Sequence, residues 1–231
     1  DSNNIAIGHN ALRTNTSGTN NVGIGAFTLD ANTTASNNTA VGSSTLGANT
    51  TGSSNTAMGG GALLDSTTGS QNTAIGHRSL FENTTADNNT ALGFEALKLN
   101  TTGTVNVAVG ANALDANTTA SYNTAVGESS MTSTTTGFSN CALGQATMLS
   151  NTTGDGNVAV GYAALYSNTT ADNNTAIGRT CMEQNTVGHS NTAIGQNALN
   201  SNTSGDQNVA IGKGALDANT TGSDNVAIGL D

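Results

Sequence analysis

Histidines, acidic residues and cysteines are the side chains of this 231-residue sequence that could carry out catalysis or bind a metal. His9 and His77 share one place in a repeated unit, and His189 occupies another place. None of them has a serine or carboxylate partner at a recurring spacing, although an activated nucleophile needs an adjacent base and a group that orients the base. We therefore predict no catalytic residues, no enzyme activity and no cofactor.

Metal binding and disulfide formation are the next chemistries to consider. Calcium-binding glycine-rich coils need an aspartate at a fixed place in consecutive turns. Here only Asp155 and Asp172 stand at one place in adjacent copies, which leaves room for one weak ion site but predicts no recurring metal site. Cys141 and Cys181 occupy different places of the repeat, so we interpret both as small buried hydrophobic residues and not as a disulfide.

These side chains are carried by a unit of seventeen residues. Thirteen copies fill residues 4–224 without insertion, and a partial copy covers residues 225–231. We number the seventeen places from the asparagine of the NTAIG motif. Strict repetition predicts a solenoid, in which each unit buries its apolar edge against its neighbours. We expect one domain spanning residues 1–231.

Two segments of the unit have strand-like composition. Places 1 to 5 hold Asn, a mostly β-branched residue, Ala with one exception, a large aliphatic residue and Gly, which predicts a short strand that ends at a corner. A small residue at place 8 and Leu or Met at place 9 predict a second short strand. The predicted fold is therefore all-β, a parallel β-solenoid or β-roll of about 14 coils with a 17-residue period.

Three places never change among the complete copies. We expect the asparagines of place 1 to form a ladder of side-chain amides between stacked coils. An invariant glycine at place 5 predicts a positive φ or an approach too close for a Cβ atom. Place 13 is always threonine. In two of the copies these ladder residues are Asn72, Gly76 and Thr84, and Asn191, Gly195 and Thr203.

Places 3, 4, 8 and 9 are all restricted, although neighbouring side chains of a strand point to opposite faces. We expect the large aliphatic residues of places 4 and 9 to fill the coil, and the small residues of places 3 and 8 to meet a second packed surface. A coil has one interior, so this pattern predicts a homo-oligomer. Its predicted interface includes Ala108, Ala159, Ala193 and Ala198. The competing interpretation is a flat monomeric coil whose outer face binds a regular surface.

The remaining places vary and carry nearly all charged and aromatic residues, so we interpret them as solvent-facing corners. Exposed aromatic residues favour binding, which makes Phe81, Phe94, Tyr162 and Tyr166 candidate surface contacts, unless they only cover coil edges. The net charge of −10 argues against nucleic acid or anionic membranes as partners. No apolar run approaches the roughly 18 residues of a membrane span, so we expect no membrane insertion of this segment.

The Asn-Thr-Thr run of the repeat has three interpretations. It matches the N-glycosylation sequon, for example at Asn32 and Asn100, but side-chain capping of a turn explains it equally well. Its rows of hydroxyl groups resemble the ice-binding faces of some β-solenoid antifreeze proteins. The two threonines are adjacent, however, and so leave only one row on each face.

The strand motif also resembles a known family. NTAIG at Asn72 and NVAVG at Asn106 resemble the head repeats of YadA-like trimeric autotransporter adhesins. The longer unit NVAVGYAALYSNTTADN at Asn157 is similar to 17-residue repeats of bacterial and viral fibre proteins such as phage tail fibres. Those adhesin heads repeat near fourteen residues, so their handedness and corner geometry do not transfer.

This resemblance implies a homotrimeric, extracellular fibre segment on a cell surface or a virion. Such a shaft or head would be a structural and adhesive element that presents its variable corners for attachment, with a host-cell surface or a glycan receptor as partner. Two alternatives stay open. One is a monomeric solenoid that binds ice or a crystalline polysaccharide, and the other is a subunit of an extracellular filament polymerised end to end.

Overall fold

The computed structural model describes residues 3–230, and the chain divides into two compact units, residues 1–119 and 120–231. Each unit holds seven strands of three residues, one from places 2 to 4 of each repeat. In the first unit they are β1 (Ile5–Ile7), β2 (Val22–Ile24), β3 (Thr39–Val41), β4 (Thr56–Met58), β5 (Thr73–Ile75), β6 (Thr90–Leu92) and β7 (Val107–Val109). In the second they are β8 (Thr124–Val126), β9 (Cys141–Leu143), β10 (Val158–Val160), β11 (Thr175–Ile177), β12 (Thr192–Ile194), β13 (Val209–Ile211) and β14 (Val226–Ile228).

Within each unit every strand pairs in parallel with the strand of the next repeat. The register is one whole repeat: Ala74 of β5 lies opposite Ala91 of β6, and Ala176 of β11 lies opposite Ala193 of β12. Each place of the repeat therefore stacks on the same place of the neighbouring coil. The predicted all-β parallel β-solenoid with a 17-residue period is confirmed.

The predicted second strand is wrong, because places 6 to 11 form turns. The residues of places 7 and 9 have positive φ, as Glu95 (+53°) and Leu97 (+51°) show. Left-handed residues break the extended backbone that a strand needs. Hydrogen bonds between coils continue through the turn nevertheless, since the Leu97 N–H donates to the carbonyl oxygen of Ala113 at 3.0 Å.

The invariant glycine of place 5 meets both conditions that the sequence predicted. Gly76 has φ +138° and Gly195 has φ +136°, a region that side chains rarely adopt. A Cβ atom on either residue would also overlap the carbonyl oxygen of the equivalent glycine in the next coil, Gly93 or Gly212. At the place-5 glycines, neighbouring coils therefore lie too close together to admit a Cβ atom.

The interior of each coil is narrow and is filled by places 3, 8 and 9. Leu97 and Leu199 at place 9 have no exposed surface. Gly23 shows how little room place 3 has, because a Cβ atom there would lie 3.6 Å from Leu12 Cγ and 3.7 Å from Thr28 Cγ2. An alanine makes ordinary van der Waals contacts in this space, and a longer side chain would collide with its neighbours.

This packing corrects the predicted interface. The side chains of Ala108, Ala159, Ala193 and Ala198 have no exposed surface within the single chain, so they cannot contact a partner. The residues of places 3 and 8 are small because the coil's own interior is narrow. Places 8 and 9 both point inward because the left-handed residue at place 9 breaks the strand alternation on which the prediction relied.

Two columns of buried asparagine amides hold the coils together. At place 1, Asn191 Nδ2 donates to the carbonyl oxygen of Gly205 at 2.8 Å, and its Oδ1 accepts the N–H of Asn208 in the next coil at 2.9 Å. Asn72 makes the same pair of bonds with Ala86 and Asn89. These bonds satisfy backbone groups inside the coil that would otherwise be costly to bury.

The second column lies at place 12. Asn168 Nδ2 donates to Asn151 Oδ1 of the preceding coil at 2.8 Å and to the Ala171 carbonyl oxygen at 3.0 Å. Asn32 and Asn100, the first residues of two sequons, are likewise fully buried. The Asn-Thr-Thr run therefore serves the interior of the folded coil and does not present these amides for glycosylation.

The threonine of place 13 adds a third set of bonds between coils. The Thr84 hydroxyl donates to the carbonyl oxygen of Thr101 at 3.1 Å, and the Thr203 hydroxyl donates to that of Thr220 at 3.0 Å. The hydroxyls of place 13 are thus engaged within the chain. Only place 14, as at Thr85, leaves a fully exposed row.

Candidate functional site

The outward surface of the three-residue strands, formed by the side chains of places 2 and 4, is here called the strand face. Alternation along the strand turns place 3 into the coil and places 2 and 4 away from it. Place 4 is a large aliphatic residue in every copy, and Met58, Leu92 and Leu143 are 43%, 44% and 49% exposed. In the first unit the row comprises Ile7, Ile24, Val41, Met58, Ile75, Leu92 and Val109. In the second it comprises Val126, Leu143, Val160, Ile177, Ile194, Ile211 and Ile228.

The strand face carries no charge in either unit. Place 2 holds Thr, Val, Ile or Cys, so each strand presents one β-branched or small residue beside one large aliphatic residue. Because the register is one whole repeat, these residues form two straight rows in each unit. Soluble monomers rarely expose contiguous apolar patches of this kind, and larger ones mark interaction sites.

The two cysteines lie in opposite environments. Cys141 is exposed at place 2 of the strand face, so its predicted burial is wrong. Cys181 is buried at place 8, where its Sγ lies 3.2 Å from the carbonyl oxygen of Ala193. Burial raises the pKa of the Cys181 thiol to about 12, which keeps it protonated and unreactive at neutral pH.

The four aromatic residues predicted as surface contacts lie at coil corners, two in each unit. Phe94 is 50% exposed and stacks on His77, with ring centroids 5.8 Å apart. Phe81 is half-buried beneath the guanidinium of Arg78. In the second unit, Tyr162 is exposed and Tyr166 is half-buried. The role of these four residues as receptor contacts stays a prediction.

The aspartates considered for an ion site belong to a hydrogen-bonded row along place 16. Asp155 Oδ1 accepts the N–H of Phe138, and Asp172 Oδ1 accepts the N–H of Asp155, both at 2.8 Å. His189 continues the row, since its Nδ1 accepts the N–H of Asp172 at 2.9 Å. Side-chain acceptors at place 16 thus replace a missing backbone bond between coils. The sequence pattern did not reveal this role, because Ser, Asp and His all perform it.

No group of three or more His, Cys, Asp or Glu side chains within residues 3–230 is arranged to hold a metal ion. Burial raises the pKa of the Asp115 carboxyl group, and a hydrogen bond from the Ala116 backbone together with the nearby Lys98 partly offsets that rise. The described residues also contain no helix that is long and apolar enough to cross a membrane.

No protein-family model matches this sequence, and no curated protein or solved structure matches it at a significant level. The resemblance to YadA-like head repeats therefore stays a prediction that rests on the strand motif. The sequence shows that place 4 accepts only large aliphatic residues, and from this we predicted that place 4 lies inside the coil. That prediction is wrong, because the repeat pattern does not show that the interior is too narrow for a residue larger than alanine at place 3.

Proposed function

We propose that this chain is a structural segment of an extracellular fibre in which the strand faces of several copies pack against each other. In this assembly the chain has a mechanical and adhesive role, not a catalytic one. The coils supply stiffness through their ladders, and the variable corners remain outside for attachment. Three copies are the number that the resemblance to trimeric adhesin heads favours.

The observation that carries this proposal is the row of outward aliphatic residues at place 4. A strand face that met only water would be free to carry Lys, Glu or Arg, which are common on exposed strands. None occurs at places 2 or 4 in fourteen copies, although charged residues are frequent at the corners. Burying the row between chains removes its apolar surface from water, at roughly 25 cal/mol for each Å².

Sedimentation equilibrium tests the proposal. We expect the wild-type protein to have about three times the 22.8 kDa mass of one chain. The double variant Leu92→Lys with Ile177→Lys puts one cation on the strand face of each unit and is expected to sediment as a folded monomer. The matched control, Thr85→Lys with Thr170→Lys, places the same charges at exposed place 14 and should remain oligomeric. A wild-type monomer at tens of micromolar would overturn the proposal.

A regular external surface is the second candidate, because the same face carries regular rows of threonine and aliphatic side chains. Ice or a crystalline polysaccharide would meet hydroxyl and methyl groups at the constant spacing of parallel strands, roughly 4.8 Å. A monomeric protein that shows thermal hysteresis, and loses it in the Leu92→Lys and Ile177→Lys double variant, would favour this candidate over the fibre.

A further inference from the structure

A groove lies on the turns of the first unit, away from the strand face. It has a volume of about 320 Å³, which is at the lower end of the range for small-ligand sites. Phe27 and Asp30 of the second coil form one wall, and Leu64 and Asp65 of the fourth coil form the other. We call this feature the turn groove.

The turn groove exists because the coil between its walls has only small side chains at places 7, 10 and 11. These are Ser44, Gly47 and Ala48, and they form the floor. Gly47 is the only glycine at place 10, where other coils have residues such as Phe81, Leu149 and Tyr166. The walls are two coils apart, roughly 10 Å at the usual spacing of parallel strands, so a single extended side chain fits between them.

The polar lining of the turn groove is rich in acceptors. Asp65 is exposed and ends one wall. Asp30 is held in the other wall by Arg13, whose Nε lies 3.0 Å from Asp30 Oδ1. A neutral sugar needs donors as well as acceptors, whereas the ammonium of lysine and the guanidinium of arginine only donate. The −10 net charge of the chain further favours a cation over an anion.

Phe27 adds an aromatic surface to the wall that it forms with Asp30, and the residue is 44% exposed. Elsewhere on the turns, an aromatic ring and a carboxylate of this chain already hold a cation between them. The Arg78 guanidinium carbon lies 4.5 Å from the centre of the Phe81 ring, and Nη1 of Arg78 lies 3.4 Å from Glu95 Oε1. A cation between an aromatic ring and a carboxylate is favourable, and more so when water is excluded.

We propose that the turn groove binds the side chain of a lysine or arginine from a partner protein. The methylene stem lies on Gly47, Ala48 and Leu64, and the charged head reaches Asp65. Phe27 packs against the stem or the head from the opposite wall. The turn groove is separate from the strand face, so this binding does not depend on the assembly proposed above.

A lysine peptide tests the proposal. The probe is a fluorescein-labelled Gly-Lys-Gly-Lys-Gly peptide, with its bis-acetyllysine form as the uncharged reference, measured by fluorescence anisotropy at low and physiological salt. The Gly47→Tyr variant fills the turn groove with a residue that place 10 accepts in another coil. The tightest contact of its Cβ would be with the flexible end of Leu64, at 3.0 Å from Cδ1, while the backbone oxygens of Ser44 and Phe27 would lie at the ordinary contact distances of 3.4 and 3.6 Å, so we expect the fold to persist. We expect peptide affinity to fall at least fivefold.

The matched control is Leu149→Tyr, which makes the same residue at place 10 of the second unit and leaves the net charge unchanged. We expect it to bind like wild type, and Asp65→Asn to bind more weakly. Equal binding by Gly47→Tyr and wild type would mean diffuse attraction to an acidic surface and would overturn the proposal. The proposal would also be overturned if neutral glycans bound wild type but not Gly47→Tyr while the lysine peptide bound neither protein. Unchanged sedimentation of Gly47→Tyr separates this test from that of the assembly.

Discussion

Ala108 and Val109 are neighbours in one strand, and each stands at a place of the repeat where few residue types occur. Ala108 faces the coil interior and has no exposed surface, whereas Val109 faces outward and is half-buried. The space inside one chain limits the first, whereas the second keeps part of its side chain open to solvent. The few residue types found at an interior place are thus explained by packing within the coil. The few residue types found on the strand face are better explained by the contacts between chains that we propose.

The largest effect should come from breaking the interior ladder. Asn191→Leu leaves the buried N–H of Asn208 without its acceptor and takes one donor from the Gly205 carbonyl. The Gly205 carbonyl keeps Asn202 as a donor, so at about 1–3 kcal/mol for the orphaned N–H and about 1 kcal/mol for the lost bond we expect a loss of up to about 4 kcal/mol. Thermal unfolding followed by circular dichroism measures it. Gln196→Leu, at an exposed corner of the same coil, is the control and should shift the midpoint by only a few degrees.

The next largest effect is expected from a pair of substitutions on opposite sides of one strand. Ala108→Leu overfills the interior and should destabilise the fold by about 3 kcal/mol, the upper part of the usual range for overpacking. Val109→Leu adds volume on the strand face and should change stability by less than about 0.5 kcal/mol. Urea unfolding at one protein concentration measures both variants. Similar losses in the two would contradict the assignment of inside and outside.

A smaller gain should follow from repairing an imperfect ladder. Ser66 replaces the usual asparagine of place 12, and both its Oγ and the Asn49 Oδ1 below it lack hydrogen-bond partners. Ser66→Asn restores a donor to Asn49 and an acceptor for Asn83, so we expect about 1–2 kcal/mol of added stability. The midpoint of thermal unfolding measures this gain. Ser204→Asn at exposed place 14 should leave the midpoint unchanged.

The least perturbing test uses the native cysteines. Alkylation at pH 8, followed by mass spectrometry, should leave Cys181 unmodified, because a thiol with a pKa of about 12 is only about 10⁻⁴ thiolate at that pH. Cys141 should react slowly in the wild-type assembly and at least tenfold faster in the Leu92→Lys and Ile177→Lys double variant. Equal rates for Cys141 in both proteins would show that the strand face is open to water in wild type.

The sequence predicted the architecture well because the period is strict. Seventeen-residue spacing, the glycine of place 5 and the asparagine of place 1 together define a stacked coil, and each of these features has a local physical cause. Gly76 illustrates this, since both its positive φ and its close approach to Gly93 follow from a place that accepts only glycine.

The direction of the side chains was not predictable in the same way. Leucine rarely adopts a left-handed conformation, at a cost of roughly 1–2 kcal/mol, so nothing in the sequence indicates that Leu97 does so. That conformation turns places 8 and 9 to the same side and invalidates the alternation used to place the interface. The turn groove could not be predicted either, because it depends on three small residues in a single coil that lies between two coils with larger residues.

The amide columns have a consequence for how such a protein changes length. Most coils offer the next one the same donors and acceptors, with Ser66 and Thr134 of place 12 as the exceptions, so a deletion of seventeen residues within one unit rejoins two coils whose places still match. A deletion of sixteen leaves one coil a residue longer than its neighbours, so the amide columns are interrupted at that coil while the coils on either side stay matched among themselves. Gains or losses of whole seventeen-residue units should therefore disturb the folded solenoid least.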